Sequence, residues 1–461
     1  MTIDATLLSR IQFGFTVGFH ILFPTLNIGL AIFLSIMEGL WLKTANPVYM
    51  KITRFWTKIF ALTFGMGVVS GIVLAYELGT NFGPFIHIAG SVIGALFVYE
   101  VLAAFFLEAG FLGVMLFGWE RVGPKMHYSA TLLVTLGTII SALGILSANS
   151  WMQTPTGFHI EAGRYVADDW WAIIFNPTAV TRFLHMLMAS MLTTCFVLAG
   201  VSAWHLLKKK YLDVAKTCFS FALGAALILA PMQVVLGDMV GLKIHEYQPL
   251  KTAAIEANWE TQRGAPLILF AIPDSKQETN HYVVSIPKLA SFINTHEWDG
   301  ELLGLKSVAP KDRPVVGAVF WMFRVMVGIG FLFMLVALIG LWLRFRGRLY
   351  DSRSFQRLCV ITGPLGFLST IGGWIVAESG RQPWIVYGLI STRHGASVVP
   401  MHQVAISLAL FIIVYGFIFS FYLYYLFKLI RKGPDALPQE TESATDVITE
   451  TPFKYMSPEG K

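Results

Sequence analysis

Long apolar runs separated by short polar connectors organise this sequence from end to end. Nine can be drawn, at about 11–40, 54–79, 88–118, 127–148, 178–206, 214–237, 314–343, 357–377 and 398–428. Each is long enough for the roughly 20 residues that carry an α-helix across a bilayer, and several are rich in Gly, Ala and Ser, which let helices approach closely. The pattern predicts an all-α integral membrane protein, a bundle of nine transmembrane helices. The first run is too long for a signal peptide and no basic segment precedes it, so it is expected to stay attached.

Between runs six and seven lies a polar segment, Gly237 to Arg313, too long to be a mere connector. Within it Lys251–Glu260 holds strong helix formers, with Ile255 and Trp259 at i,i+4 spacing. The chain divides into helices one to six (1–237), this loop (238–313), helices seven to nine (314–432) and a tail (433–461). The tail, rich in Thr, Glu, Ser and Pro, is expected to be disordered. No internal repeat is visible.

Composition agrees: 55% of the 461 residues are hydrophobic and 13% charged, with a mean hydropathy of +0.63, far from a soluble domain. The net charge of +6 belongs to short loops and orients the chain in a membrane. It does not mark a nucleic-acid surface. Lys43, Lys51 and Arg54 follow run one, Arg121 and Lys125 run three, and Lys208, Lys209 and Lys210 run five. Arg344, Arg346, Arg348 and Arg353 follow run seven, and Lys428, Arg431 and Lys432 run nine, whereas the alternate loops are poor in them. The positive-inside rule therefore puts the N-terminus outside and the C-terminus in the cytoplasm, which requires an odd number of spans. Cys195, Cys218 and Cys359 lie in or beside apolar runs without ligand spacing, and suggest neither a disulfide framework nor a zinc site.

An ionisable or ligating side chain inside a span is a functional suspect. His20, His185, Met326 and Glu378 all fall in the outer half of their spans. A His and Met pair is the axial set of an electron-transferring haem. Each also has a plainer use: a histidine can bond a backbone carbonyl across helices, a methionine can fill the core, and Glu378 can pair with Arg381. Arg324 and Met326 stand about 200° apart on a helix and cannot both face one partner. Glu100 and Glu108, in run three, are separated by about 12 Å of rise and about 80° of rotation. They suit either proton conduction through intervening water or simple hydrogen bonding between helices. Lys251 and Glu256, taken alone, read as a solvated helix face.

Gly373–Trp384 reads Gly-Trp-Ile-Val-Ala-Glu-Ser-Gly-Arg-Gln-Pro-Trp. It fits, without a gap, the GWxxxExGRQPW signature of subunit I of the cytochrome bd-type quinol oxidases, which the chain resembles over nearly its whole length. His20, Glu100, Glu108, His185, the Lys251-to-Glu256 stretch and Arg324-Val-Met326 fall in order at matching places.

The resemblance implies two haem b groups and one haem d, the last replaceable by haem b, with quinol as substrate. His185 and Met326 would ligate a low-spin haem b, supported by Arg324. His20 and Glu378 would serve the high-spin pair where dioxygen is reduced, supported by Trp374 and Arg381. Lys251 and Glu256 would belong to the quinol site in the long outer segment, the Q-loop. Glu100 and Glu108 would feed protons from the cytoplasm. A second subunit, a small single-helix subunit, quinone and lipid are the implied partners, and the bacterial cytoplasmic (inner) membrane the location. Only a short stretch separates Ser285 from Pro314, so the chain resembles the short-loop subclass that includes the cyanide-insensitive oxidases.

The expected activity is quinol oxidation at the outer face with reduction of dioxygen to water, generating a proton motive force without a pump. Two rivals stand beside it. A secondary transporter using Glu100 and Glu108 would show inverted repeats and broken helices and hold no haem. A haem b electron carrier without oxygen chemistry would not bind carbon monoxide.

Overall fold

In a computed structural model of the chain, residues 4–434 are described. Among them nine apolar helical spans are long enough to cross a membrane. The first consists of α1 (Ala5–His20) and α2 (Leu22–Thr44), and the second is α3 (Pro47–Asn81). The third joins α4 (Gly83–Tyr99), a π-helical segment (Glu100–Phe105) and α5 (Phe106–Phe117), and the fourth is α6 (Pro124–Gln153). After β1 (Phe158–Glu161), β2 (Arg164–Ala167) and α7 (Trp170–Ile174) come the fifth and sixth spans, α8 (Ala179–Leu207) and α9 (Leu212–Tyr247). The long loop contains α10 (Pro249–Glu256), β3 (Gln262–Arg263), β4 (Leu267–Asp274), β5 (Thr279–Ile286), α11 (Leu289–Thr295) and β6 (Glu301–Leu302). The seventh span is α12 (Val316–Phe345), and the eighth joins α13 (Arg353–Thr362) to α14 (Leu365–Ser379). Then β7 (Trp384–Val386), β8 (Ile390–Ser391) and α15 (Thr392–Gly395) lead to the ninth, α16 (Met401–Lys432).

The membrane part is all-α as expected, while the connectors add small antiparallel pairs, β1–β2, β3–β6, β4–β5 and β7–β8. Two boundaries differ from the sequence reading. The sixth span does not stop at Gly237 but continues to Tyr247, so the loop starts at Gln248. The residue before a proline is pushed out of the helical region, and Pro249 places that stop at Gln248, which has φ −140°. The loop helix ends at Glu256 instead of reaching Glu260, because Ala257 adopts a left-handed cap. Trp259 reaches Ile255 from the following loop, and both join one apolar cluster. Of the predicted tail, Gly433 and Pro434 are described and the remainder lies outside the described residues.

Three clusters set the frame. The largest packs α2, α3, α8, α9, α12 and α13 together around residues such as Leu34, Trp56, Phe219 and Val336, with Phe196 stacked on Phe333 at 3.6 Å. A second seats Ile385, Val386 and Ile390, just after the signature, against Phe85 on α4 and Trp151 on α6. The third packs Ile255 and Trp259 of the loop on Phe320 of α12 and Val376 of α14. Loop and signature are thereby held at one end of the bundle, where Lys251 of the loop bonds Gln153 at the end of α6.

Candidate functional site

The signature lies where α14 leaves the bundle. Glu378 Oε1 accepts from Asn149 Nδ2 at 3.0 Å and from Gln153 Nε2 at 3.3 Å, while Oε2 is paired with Arg381. Two more cations close on it through those amides: Arg182 donates to Asn149 Oδ1 at 2.6 Å and Lys251 to Gln153 Oε1 at 2.6 Å. Arg182, Lys251 and Arg381 thus surround a single carboxylate. Arg182 Nη1, Arg381 Nε and Arg381 Nη1 are buried without a partner among the described residues. Burial, reinforced by Arg182, holds the Lys251 ammonium well below the usual lysine range.

The other letters of the signature have local work. A Cβ at Gly380 would lie 2.7 Å from Lys251 Cγ, so only glycine admits the lysine stem. A Cβ at Gly373 would lie 2.8 Å from Met326 Sδ. Thr392 ties down the turn, its N–H donating to Pro383 O at 2.8 Å and its hydroxyl to Gln382 Oε1 at 2.7 Å. Trp374 is partly buried on α14, one turn before Glu378.

His185 of α8 sits against α9. Its Nε2 is 3.3 Å from Gln233 Nε2 and its Nδ1 is buried without a partner among the described residues. A Cβ at Gly237 would approach the ring to 3.4 Å. Met326 faces α14, whereas Arg324 faces the loop, as their angular separation requires. The resemblance implied that Arg324 supports the low-spin haem at His185 and Met326; in the structure its donors are taken up by the chain. It donates to Ile268 O through Nε at 2.8 Å and through Nη2 at 2.5 Å, and through Nη1 to Ile255 O at 2.8 Å and Phe320 O at 2.9 Å. It also lies 3.7 Å from Glu256 Oε2.

Lys251 and Glu256 are five residues apart on α10 and so point about 140° apart. Lys251 joins the Glu378 cluster and Glu256 does not. Glu256 borders a cleft of about 410 Å³ with Trp259, Asn280 and Lys306 on its walls. Burial raises the Glu256 carboxyl above the ordinary range, with Arg324 and Asn294 pulling the other way.

His20 closes α1. Pro24 has no N–H to give to the His20 carbonyl, and the helix breaks at Ile21. Ser70 Oγ donates to Met66 O at 2.8 Å and so receives Nδ1–H of His20 at 2.9 Å. That leaves Nε2 as a lone-pair donor, the arrangement a metal-binding histidine uses. Glu100 opens the π-helical segment and accepts from Ser141 Oγ at 2.7 Å, while buried Glu108 lies against Thr138. A π turn winds less per residue than an α turn, so the pair stands closer in angle than an ideal helix allows. Both therefore face α6.

These donors fit haem groups. Imidazole, thioether and carboxylate are iron ligands. The orphaned His185 nitrogen, the glycine against the Met326 sulfur and the surplus of buried guanidinium N–H around Glu378 are the features such groups would complete. Sequence reasoning assigned no role to Arg182, Asn149 or Gln153.

The chain is similar to proteins of one known family over nearly its whole length. The sequence profile of the family "Cytochrome bd terminal oxidase subunit I" matches residues 8–434. The chain is 36% identical to the cytochrome bd ubiquinol oxidase subunit 1 of Bacillus subtilis (strain 168), over 93% of this chain and 94% of that one. It is 31% identical to the cytochrome bd-II ubiquinol oxidase subunit 1 of Escherichia coli (strain K12), over 95% and 98%. The solved bd oxidase from Geobacillus thermodenitrificans superposes with a TM-score of 0.88 at 33% identity, covering 94% of this chain and 99% of that chain. With this match running through both the signature and the buried cluster around Glu378, the chain belongs to the cytochrome bd terminal oxidase subunit I family.

Proposed function

We propose that this chain oxidises quinol at the Glu256 cleft, beside its long loop, and takes protons for oxygen reduction from the opposite face of the membrane. It is a multi-pass subunit of a quinol:oxygen oxidoreductase of a bacterial cytoplasmic membrane, a terminal oxidase that uses haem and works with a second subunit. When bound, haem iron supplies one-electron transfer and a position at which dioxygen is reduced.

His185 and Met326 would hold a low-spin haem b. His20 and Glu378 would hold the high-spin pair, a haem b and a haem d or a third haem b. Arg182 and Arg381 would use their unpaired N–H groups on propionates, and Trp374 would pack beside them. Glu256 would accept a quinol proton at the cleft, and Arg324 holds the segment that positions it. Lys251 would act from the Glu378 cluster, linking the loop to the signature. Glu108 and Glu100, both facing α6 from the third span, would carry protons from the cytoplasm. The distribution of Lys and Arg supports the long loop being outside, the N-terminus outside and the C-terminus in the cytoplasm. Charge separation then follows from releasing and taking up protons on opposite faces, with no pump. Quinone and annular lipid, and a further single-helix subunit, complete the proposed partners.

The observation that carries this reading is the buried cluster of three cations around Glu378. Its test is the absorption spectrum of the purified complex carrying Glu378→Ala. Loss of a high-spin haem with the low-spin haem retained is expected. An unchanged haem complement would leave Glu378 as a salt-bridge partner of Arg381.

A further inference from the structure

Below Glu108, toward the end of the bundle away from the long loop, a second buried acid has no part in the account so far. Glu38 of α2 is 0% exposed and His127 of α6 is 1% exposed. His127 Nδ1 is 2.6 Å from Glu38 Oε1, and Thr131 donates to Glu38 Oε2 at 2.6 Å. The other ring nitrogen, Nε2, lies 3.2 Å from the carbonyl of Met115. A carbonyl can only accept, so Nε2 carries a hydrogen. The short Nδ1–Oε1 contact then needs a proton of its own, since two lone pairs would otherwise face each other. The pair is therefore neutral as a whole and holds one proton shared between acid and base.

Stability alone does not account for such a pair, because buried ionic pairs are often no better than apolar packing. Its surroundings suggest a use. His127, Thr131, Thr135, Thr138 and Ser141 share one face of α6, within an arc of about 120° and a rise of about 21 Å. Each has a polar partner. Thr131 meets Glu38, Thr135 meets Ser35 of α2 at 2.7 Å, Thr138 lies against Glu108 and Ser141 donates to Glu100 at 2.7 Å. At the other end Trp119 covers the His127 ring at 3.9 Å, and the Arg54 guanidinium lies 4.9 Å from the Trp119 ring. Trp119 belongs to the connector that also carries Arg121, on the side the positive-inside rule assigns to the cytoplasm.

We propose that the Glu38–His127 pair is the proton-loading group of this subunit, passing protons along the hydroxyl face of α6 to Glu108 and Glu100. This rests on the reading that Glu108 and Glu100 carry protons from the cytoplasm. For the proton to leave, the Thr131 hydroxyl turns from donor to acceptor at Glu38 Oε2 and hands its own hydrogen on along the face, while the pair is reprotonated from the aqueous side of Trp119. One proton enters for each that leaves, and no net charge is stored.

The test uses the complete oxidase in liposomes, with turnover and proton uptake followed together. Glu38→Gln is expected to slow both by about tenfold or more, the low end of what a positioned acid–base group contributes being higher still. Haem spectra and the KM for quinol should stay unchanged, the solvent deuterium isotope effect should grow, and Glu38→Asp should restore part of the rate. Wild-type turnover and uptake in Glu38→Gln would overturn the proposal. Should that variant fail to assemble, Ser35→Ala combined with Thr135→Val breaks the face without touching a charge, and must enlarge the isotope effect; no change would overturn the proposal equally. Glu108→Gln separates the two levels. If it is slow while Glu38→Gln is not, the loading group alone fails; if it too runs at the wild-type rate, the underlying path fails.

Discussion

Replacing Gly373 with alanine puts one methyl group where Met326 has its sulfur. The added Cβ would stand 2.8 Å from Sδ, against a comfortable separation of about 3.5–4.0 Å between non-bonded carbons, so the sulfur must retreat by about 1 Å. Overpacking of this kind costs about 1–3 kcal/mol. A methionine that only fills space relieves it by turning its flexible thioether. A methionine bound to iron cannot, and the strain falls on the ligand bond. Because His/Met ligation raises a haem's potential, weakening it lowers the midpoint, by roughly 40–130 mV if the full 1–3 kcal/mol falls on the reduced form. Redox titration of the low-spin haem in the purified Gly373→Ala complex reads this directly. A folded variant with the wild-type spectrum and midpoint would refute Met326 as a ligand.

Two other variants examine the loop. Arg324→Ala leaves the carbonyls of Ile255 and Ile268 without their donor, at about 1–3 kcal/mol for each that stays buried. Faster hydrogen exchange across residues 255–268 and a raised KM for quinol are expected, with haem content retained. If Glu256 accepts the quinol proton, it must be ionised, and its raised pKa means that the rate falls as pH drops through a value above the roughly 4.3 of a free glutamate. A pH profile of kcat/KM should show that acid limb, and Glu256→Gln should lower kcat and remove it.

The membrane architecture was legible because hydrocarbon leaves the chain few choices: a long apolar run must be a helix, and the nine runs correspond to the nine spans among the described residues. The end of α9 was less so, since it depended on Pro249 and not on polarity. Hairpins such as β4–β5 were missed because their alternation is irregular, and its register shifts between Ile268 and Phe270. Within the site, the signature marked Glu378 and Arg381, but Asn149 and Gln153 are common polar residues whose meaning comes only from lying beside Glu378, more than two hundred positions away. Glu38 and His127 were detectable as ionisable residues inside spans. They stood outside the pattern that drew attention to the others, and only packing brings them within 2.6 Å of each other. Lys251 and Glu256 were grouped by the resemblance as one quinol site, whereas the turn of α10 points Lys251 to the Glu378 cluster and Glu256 to the cleft.

The central claim is that His185 and His20 serve different haems, one for electron intake and one for oxygen. Reduced-minus-oxidised and carbon monoxide difference spectra of the purified complex, taken on His185→Ala and His20→Ala in parallel, test it most directly. His185→Ala should lose the low-spin signal and keep carbon monoxide binding, while His20→Ala should keep the low-spin signal and lose or alter carbon monoxide binding. Full retention of the low-spin spectrum in His185→Ala, or unchanged carbon monoxide binding in His20→Ala, would contradict the account.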